Sequence, residues 1–182
     1  FRNLDFTPQY KTSGYENNPK IDVKAIYVSR SSAITNIDRF IEIAKETKIN
    51  AFVIDVKDDY GYMLFNSSAS EKFAPGANVK STLSDDKIKE LMRKLKENDI
   101  YTIARIVTFK DTVYVNQYPE RIIVYKNGNV PYKSTDNLYW ASPHDRQLWE
   151  YDVEVAKEAA DYGFNEIQFD YVRFPALSKS ME

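Results

Sequence analysis

The sequence predicts a parallel α/β protein of the TIM (β/α)8-barrel type, with about the first four β/α units present. Three observations carry that prediction. From Lys24 onward, short β-rich apolar runs alternate with amphipathic helical patterns. The first run ends in Ser29-Arg30-Ser31-Ser32, without the GxGxxG or P-loop that a doubly wound nucleotide-binding sheet would place there. Acids and bases then gather at the C-terminal ends of successive runs, where barrel enzymes carry their chemistry. A full barrel needs eight strands in about 250 residues. The 182 residues therefore read as a polar N-terminal arm or linker, 1–23, followed by the N-terminal half of a barrel, 24–182. The remaining barrel half, or an oligomeric partner, is expected to cover the open sheet edges.

The elements follow in order. Ala25-Ile-Tyr-Val-Ser29 is the first strand. Ile37, Phe40, Ile41 and Ala44 recur at helical spacing and predict a helix over 35–48. Ala51-Phe-Val-Ile-Asp-Val56 is nearly continuous in apolar character, as a strand covered on both faces requires. After a loop rich in Ser, Gly and Asn, Ser84 is placed to cap a helix with Asp85 and Asp86 in its first turn and Ile88, Leu91, Met92 and Leu95 on its apolar stripe. Tyr101–Val107 is a third covered strand. The long connection over 110–144 contains a predicted hairpin, IIVYKNGNVPY, with Asn127-Gly128 at its turn. A helix over 145–162, with Leu148, Val155 and Ala159 on one face, stops at Gly163 and leads into a fourth strand, 166–172.

Composition narrows the function. Hydrophobic residues at 43% and charged residues at 29% describe a globular domain. A formal net charge of -2, without a block of like charge, gives no electrostatic case for nucleic acid. No cysteine is present, which excludes disulfides and thiolate chemistry, and a single histidine, His144, excludes zinc sites built from several His or Cys ligands. No metal or cofactor is expected.

Strand alternation sets where the charges point. In the fourth strand Ile167, Phe169 and Tyr171 share the face expected to meet helices. Glu166, Gln168 and Asp170 face the barrel interior, with Asp170 near the C-terminal end. In the second strand Asp55 and Lys57 share the inner face, and Asp58 follows at the rim. Arg105 shares a face with Ile103 and Val107, and Lys110 and Asp111 lie beyond that strand. A structural ion-pair network is one reading of this convergence. Glycoside hydrolysis, which uses a pair of carboxylates, is the other. Lys57 is a poor Schiff-base nucleophile, because Asp55, Asp58 and Asp59 favour its charged form. Asp170, beside Arg173, is expected to be ionised and suited to the role of nucleophile or stabiliser. Trp140 and Tyr139 on the long loop, and Tyr60 and Tyr62 at the second strand's rim, are candidates for sugar contacts. Trp149 reads as helix packing and His144 as a helix-start residue.

FVIDVKDDYG, YTIARIVTFKD and EAADYGFNEIQFDYVRFP together resemble a bacterial glycoside hydrolase domain long catalogued as a domain of unknown function, similar to the α-amylase-like TIM barrels. The resemblance spans about 24–176. It implies a polysaccharide or oligosaccharide substrate, an extracellular or cell-surface location, and cell-wall or membrane anchoring through a segment before Phe1. It also implies a catalytic set with Asp170 as nucleophile at the end of the fourth strand, accompanied by Asp55, Asp58 and Arg105. Lys57, Lys110, Asp111 and Arg173, at the family's charged motif positions, join Trp140 on the long loop and Tyr60 at the rim as candidate substrate-binding residues. The general acid is expected on a later strand. One departure is YWASPHD, in which Ser142 stands before Pro143 where the family tends to Asn or Asp. A non-catalytic carbohydrate-binding barrel is the competing expectation. A metal-dependent polysaccharide deacetylase is disfavoured by the single histidine.

Overall fold

The structure is a computed structural model that describes residues 18–126 and 130–176. Four parallel strands, β1 (Ala25–Val28), β2 (Ala51–Lys57), β3 (Tyr101–Val107) and β4 (Glu166–Asp170), pair in the order β1-β2-β3-β4. The order is sequential and shows no reversal, the feature that marks the switch point of a doubly wound sheet. Among the described residues the sheet is open at β1 and β4 and does not close.

The helices are α1 (Arg30–Thr35), α2 (Ile37–Glu46), α3 (Ser68–Phe73), α4 (Asp85–Glu97), α5 (Thr112–Gln117) and α6 (Arg146–Asp161). Ile41 and Ala44 of α2, Ile88, Leu91, Met92 and Leu95 of α4, and Leu148, Val155 and Ala159 of α6 are buried in one core with Phe52, Ile54, Ala104 and Ile106 of the sheet. The predicted stripes are the buried ones. The first predicted helix, 35–48, corresponds to α2, and a separate short helix, α1, precedes it. Ser29 accepts a hydrogen bond from the Ser32 amide and starts α1 early, and the chain breaks at Asn36 before α2. Ser84 stands at the N-cap of α4, but its side chain makes no capping bond. The loop after β2 contains α3 and a short 3-10 turn at Pro75–Ala77.

Within the long connection, the Tyr125 amide donates to the Val130 carbonyl and the Tyr132 amide to that of Ile123, so the two arms pair as predicted. The predicted turn at Asn127-Gly128 lies outside the described residues. Gly163 ends α6 with a φ of +97°. β4 is shorter than predicted, ending at Asp170 as Tyr171 turns to a φ of +55°. Its outward Phe169, expected under a helix, is 44% exposed at the sheet edge. At the underside, Asn18 and Asn165 exchange amide hydrogen bonds and Asn50 binds Asp22 and Lys24, so the end of the N-terminal arm crosses beneath the strands.

One irregularity decides the site. β2 and β3 are in register at Asp55–Arg105, but the next pair is Lys57–Ile106. The extra residue, Val56, is a bulge that reverses side-chain parity. Lys57 therefore leaves the inner face it was expected to share with Asp55 and enters the layer between sheet and helices. Past the bulge, Gly61 has a φ of +95°, and a Cβ there would lie 2.0 Å from Asp111 Oδ1. Gly61→Ala should therefore cost more than about 1 kcal/mol, read as a lower urea midpoint at unchanged m-value.

Candidate active site

The inner face of the sheet ends in a charge network built on one guanidinium. Arg105 Nε donates to Asp170 Oδ2 at 2.8 Å, Nη1 to Asp55 Oδ1 at 2.7 Å and Nη2 to Asp59 Oδ1 at 3.0 Å. Lys110 Nζ takes the other oxygen of Asp59 at 2.9 Å and Asp136 Oδ2 at 2.5 Å. Each of β2, β3 and β4 contributes one member, because in a twisted parallel sheet in this register Asp55, Arg105 and Asp170 rise to the same rim.

The electrostatics differ within the set. Burial pushes the Asp55 carboxyl up, against the hydrogen bonds it accepts from Tyr27 Oη and Arg105. Its two oxygens are thereby occupied and it is nearly inaccessible. Burial also opposes ionisation of Asp170, but the Arg105 hydrogen bond and the Tyr171 amide, 2.7 Å from Oδ1, outweigh it and hold the carboxyl below its ordinary value. Its side chain is 41% exposed, so Asp170 is an ionised carboxylate open to the mouth. Burial disfavours the charged forms of Arg105 and Lys110, yet the carboxylates around each prevail and raise both.

Above this layer lie aromatic rings. Tyr171 sits edge-on to Trp140 at 5.4 Å between centroids, and the Arg173 guanidinium lies 5.1 Å from the Trp140 ring centre and 5.2 Å from that of Tyr171. Trp140 is 2% exposed, so it packs beneath these groups and does not present a free face. Tyr60 is exposed and stacks on Tyr62 at 6.0 Å. Trp149 covers the start of α6, its indole donating to the Pro143 carbonyl, and the His144 amide accepts a similar local role by donating to Ser142 Oγ.

Three sequence candidates lie apart from the mouth. Asp58 binds Arg30 Nε at 3.0 Å through Oδ2, and its Oδ1 accepts the Tyr60 and Tyr62 amides, which fixes the rim turn. Lys57 is fully buried, 2.9 Å from Asp111 Oδ2 and 2.6 Å from Asp152 Oδ1. Asp111 is equally buried and caps α5 through the Tyr114 amide. Lys57 and Asp111, expected as substrate contacts, are thus enclosed beneath the rim, because the bulge turned Lys57 over. Conversely, Asp59, Asp136 and Tyr27 join the network without having been proposed as site residues. Tyr27 was legible from alternation along β1. Asp59, in the turn after β2, and Asp136, far along a loop, lie outside the strands where the alternation rule applies. Among the described residues, no group of three or more His, Cys, Asp or Glu side chains could hold a metal.

A family model described as "Putative glycosyl hydrolase domain" matches residues 25–182. The chain belongs to this family. No curated protein matches the chain. Among solved structures, a hypothetical protein from Ruminiclostridium thermocellum ATCC 27405 is 34% identical with a TM-score of 0.72, over 83% of this chain and 78% of that one. The Vibrio harveyi GH20 exo-β-N-acetylglucosaminidase is 13% identical with a TM-score of 0.57, over 79% of this chain and 26% of its own. A maltogenic α-amylase from Thermotoga neapolitana is 13% identical with a TM-score of 0.57, over 85% of this chain and 40% of its own. The fold therefore resembles part of the fold of these two glycoside hydrolases, and the chain spans less than half the length of either.

Arg105→Met should strand Asp55 without its cation and destabilise the fold by about 3 kcal/mol. Adding Asp55→Asn should recover part of that loss in urea denaturation. Asp152 gives a pH signature. Burial, with Asp111 nearby and against the pull of Lys57, pushes its carboxyl up to about 7. Between its ordinary value of 3.8 and about 7, the folded chain holds a proton that the unfolded chain releases. This contribution makes stability fall as pH rises through that window, and Asp152→Asn should remove it from the pH dependence of the urea midpoint.

Proposed function

We propose that this domain supplies the nucleophile half of a retaining glycoside hydrolase acting on a polysaccharide or oligosaccharide, with Asp170 as the nucleophile. The observation that carries the reading is Asp170 itself: a carboxylate at the end of the fourth parallel strand, ionised by Arg105 and still open to the mouth. Asp170 would form a bond to the anomeric carbon as the glycosidic C–O bond breaks, and water would later release the sugar. The leaving oxygen needs a proton. Asp59 lies between two cations, Asp136 is held ionised by Lys110 against the effect of its burial, and Asp55 is enclosed. Each of the three is already held by partners, so the reading assigns the general acid to a strand beyond the fourth. Arg105 and Asp55 would keep Asp170 oriented, and in this reading Tyr27, Tyr60 and Arg173 would meet the sugar. The proposed location is extracellular or at the cell surface, where such substrates are found.

A second reading, a carbohydrate-binding barrel without turnover, draws on the saturation of the network: both Asp170 oxygens already hold a donor. The two readings separate on the complete parent protein. Asp170→Asn should lower reducing-end release from a glycan by at least about 10³-fold while glycan binding is retained. Binding by the parent without release would select the second reading.

A further inference from the structure

Beneath the mouth lies a cluster that the proposed chemistry does not use. Lys57, Asp111 and Asp152 bring one ammonium and two carboxylates into complete burial. The Tyr151 ring packs 4.7 Å from Lys57 Nζ, and Asp152 Oδ2 has no hydrogen-bond partner. An isolated buried charge is expensive, and here one ammonium is enclosed with two carboxyl groups, of which Asp152 is the one that burial drives towards its protonated form. Packing α6 onto β2 alone would be served as well by apolar side chains of this size.

The positions of these residues in the chain give them a use. Lys57 is two residues before Asp59, and Asp111 directly follows Lys110. The Lys57–Asp111 bond thus ties the end of β2 to the turn after β3 at the point where each chain delivers its member of the Asp59–Lys110 pair. Two further contacts stiffen the joint: Asp111 closes on Gly61, and the Val113 amide donates to the Tyr60 carbonyl. Asp152 anchors the tie to the long helix α6. Asp59 in turn bonds Arg105, which holds Asp170.

We propose that Lys57, Asp111 and Asp152 are positioning residues whose buried ion cluster sets the Asp59–Lys110–Arg105 chain and thereby the orientation and ionisation of Asp170. The positioning concerns a carboxylate at the mouth whatever its use; its effect on turnover rests on the glycosidase reading.

The test uses the complete parent protein and two readouts. The first is the titration of the Asp170 side-chain carboxyl, followed by carbon-13 NMR. The second is turnover on a panel of 4-nitrophenyl glycosides. Asp111→Ser keeps an N-cap hydroxyl for α5 and leaves Lys57 paired with Asp152, so the fold should persist. It removes the tie between the two rims. The Asp170 midpoint should rise by about one pH unit, and kcat should drop about tenfold or more with KM within about twofold. Lys57→Met should shift the midpoint in the same direction if it folds. Asp111→Glu, which restores a carboxylate, should recover part of both changes. A folded Asp111→Ser variant with the Asp170 midpoint unchanged would overturn the proposal. A shifted midpoint in a protein that turns over none of the glycosides would uphold the positioning and count against the glycosidase reading alone.

Discussion

Arg105 is the interaction on which the mouth depends. Its three nitrogens each hold a different carboxylate, from β2, from the turn after β2 and from β4. A planar guanidinium can do this, whereas an ammonium has no fixed fork to space three partners. The cost of burying Asp55 is met because Arg105 and Tyr27 satisfy its two oxygens. The same cation then lowers the pKa of Asp170, which stands at the rim and remains open. One residue thus gives two aspartates different settings: an enclosed one that braces and an exposed one that faces the mouth.

The second dependence runs through the bulge at Val56. Without it, Lys57 would project among the inner-face charges and add a third cation to Arg105 and Lys110. With it, Lys57 lies under the rim and draws Asp111 and Asp152 into the core. The β2 rim is then fixed from both sides, by Asp58 capturing Arg30 and the Tyr60 and Tyr62 amides, and by Asp111 against Gly61. Charged residues that read alike in the motif DVKDDYG perform three tasks: Asp55 and Asp59 face the mouth, Lys57 joins the core, and Asp58 shapes the turn.

That motif also marks where the sequence ceases to be legible. Strand–helix alternation and the apolar stripes of α2, α4 and α6 are set by local periodicity, so the winding and the buried faces could be read directly. Asp170 and Arg105 were found by the same period-two rule, which holds in regular strands. The rule fails after one inserted residue, and Lys57 left its expected inner face for that reason. Asp111 was misplaced because its capping of α5 depends on where a loop turns. Asp136 sits far along a loop and joins the site through its contact with Lys110, a tertiary interaction without a local signature. Trp140 looked available on an irregular segment, but Tyr171 and Arg173 cover it.

The claim that Asp170 is the nucleophile is tested most directly by trapping the glycosyl-enzyme. The complete parent protein would be incubated with 2-fluoro glycosides of the sugars it releases, digested, and the labelled peptide sequenced by mass spectrometry. The account predicts a single glycosyl label on the peptide containing Asp170, and no label in the Asp170→Asn variant. A label on any other residue, or an active enzyme that releases product with inversion and takes no label, would contradict it.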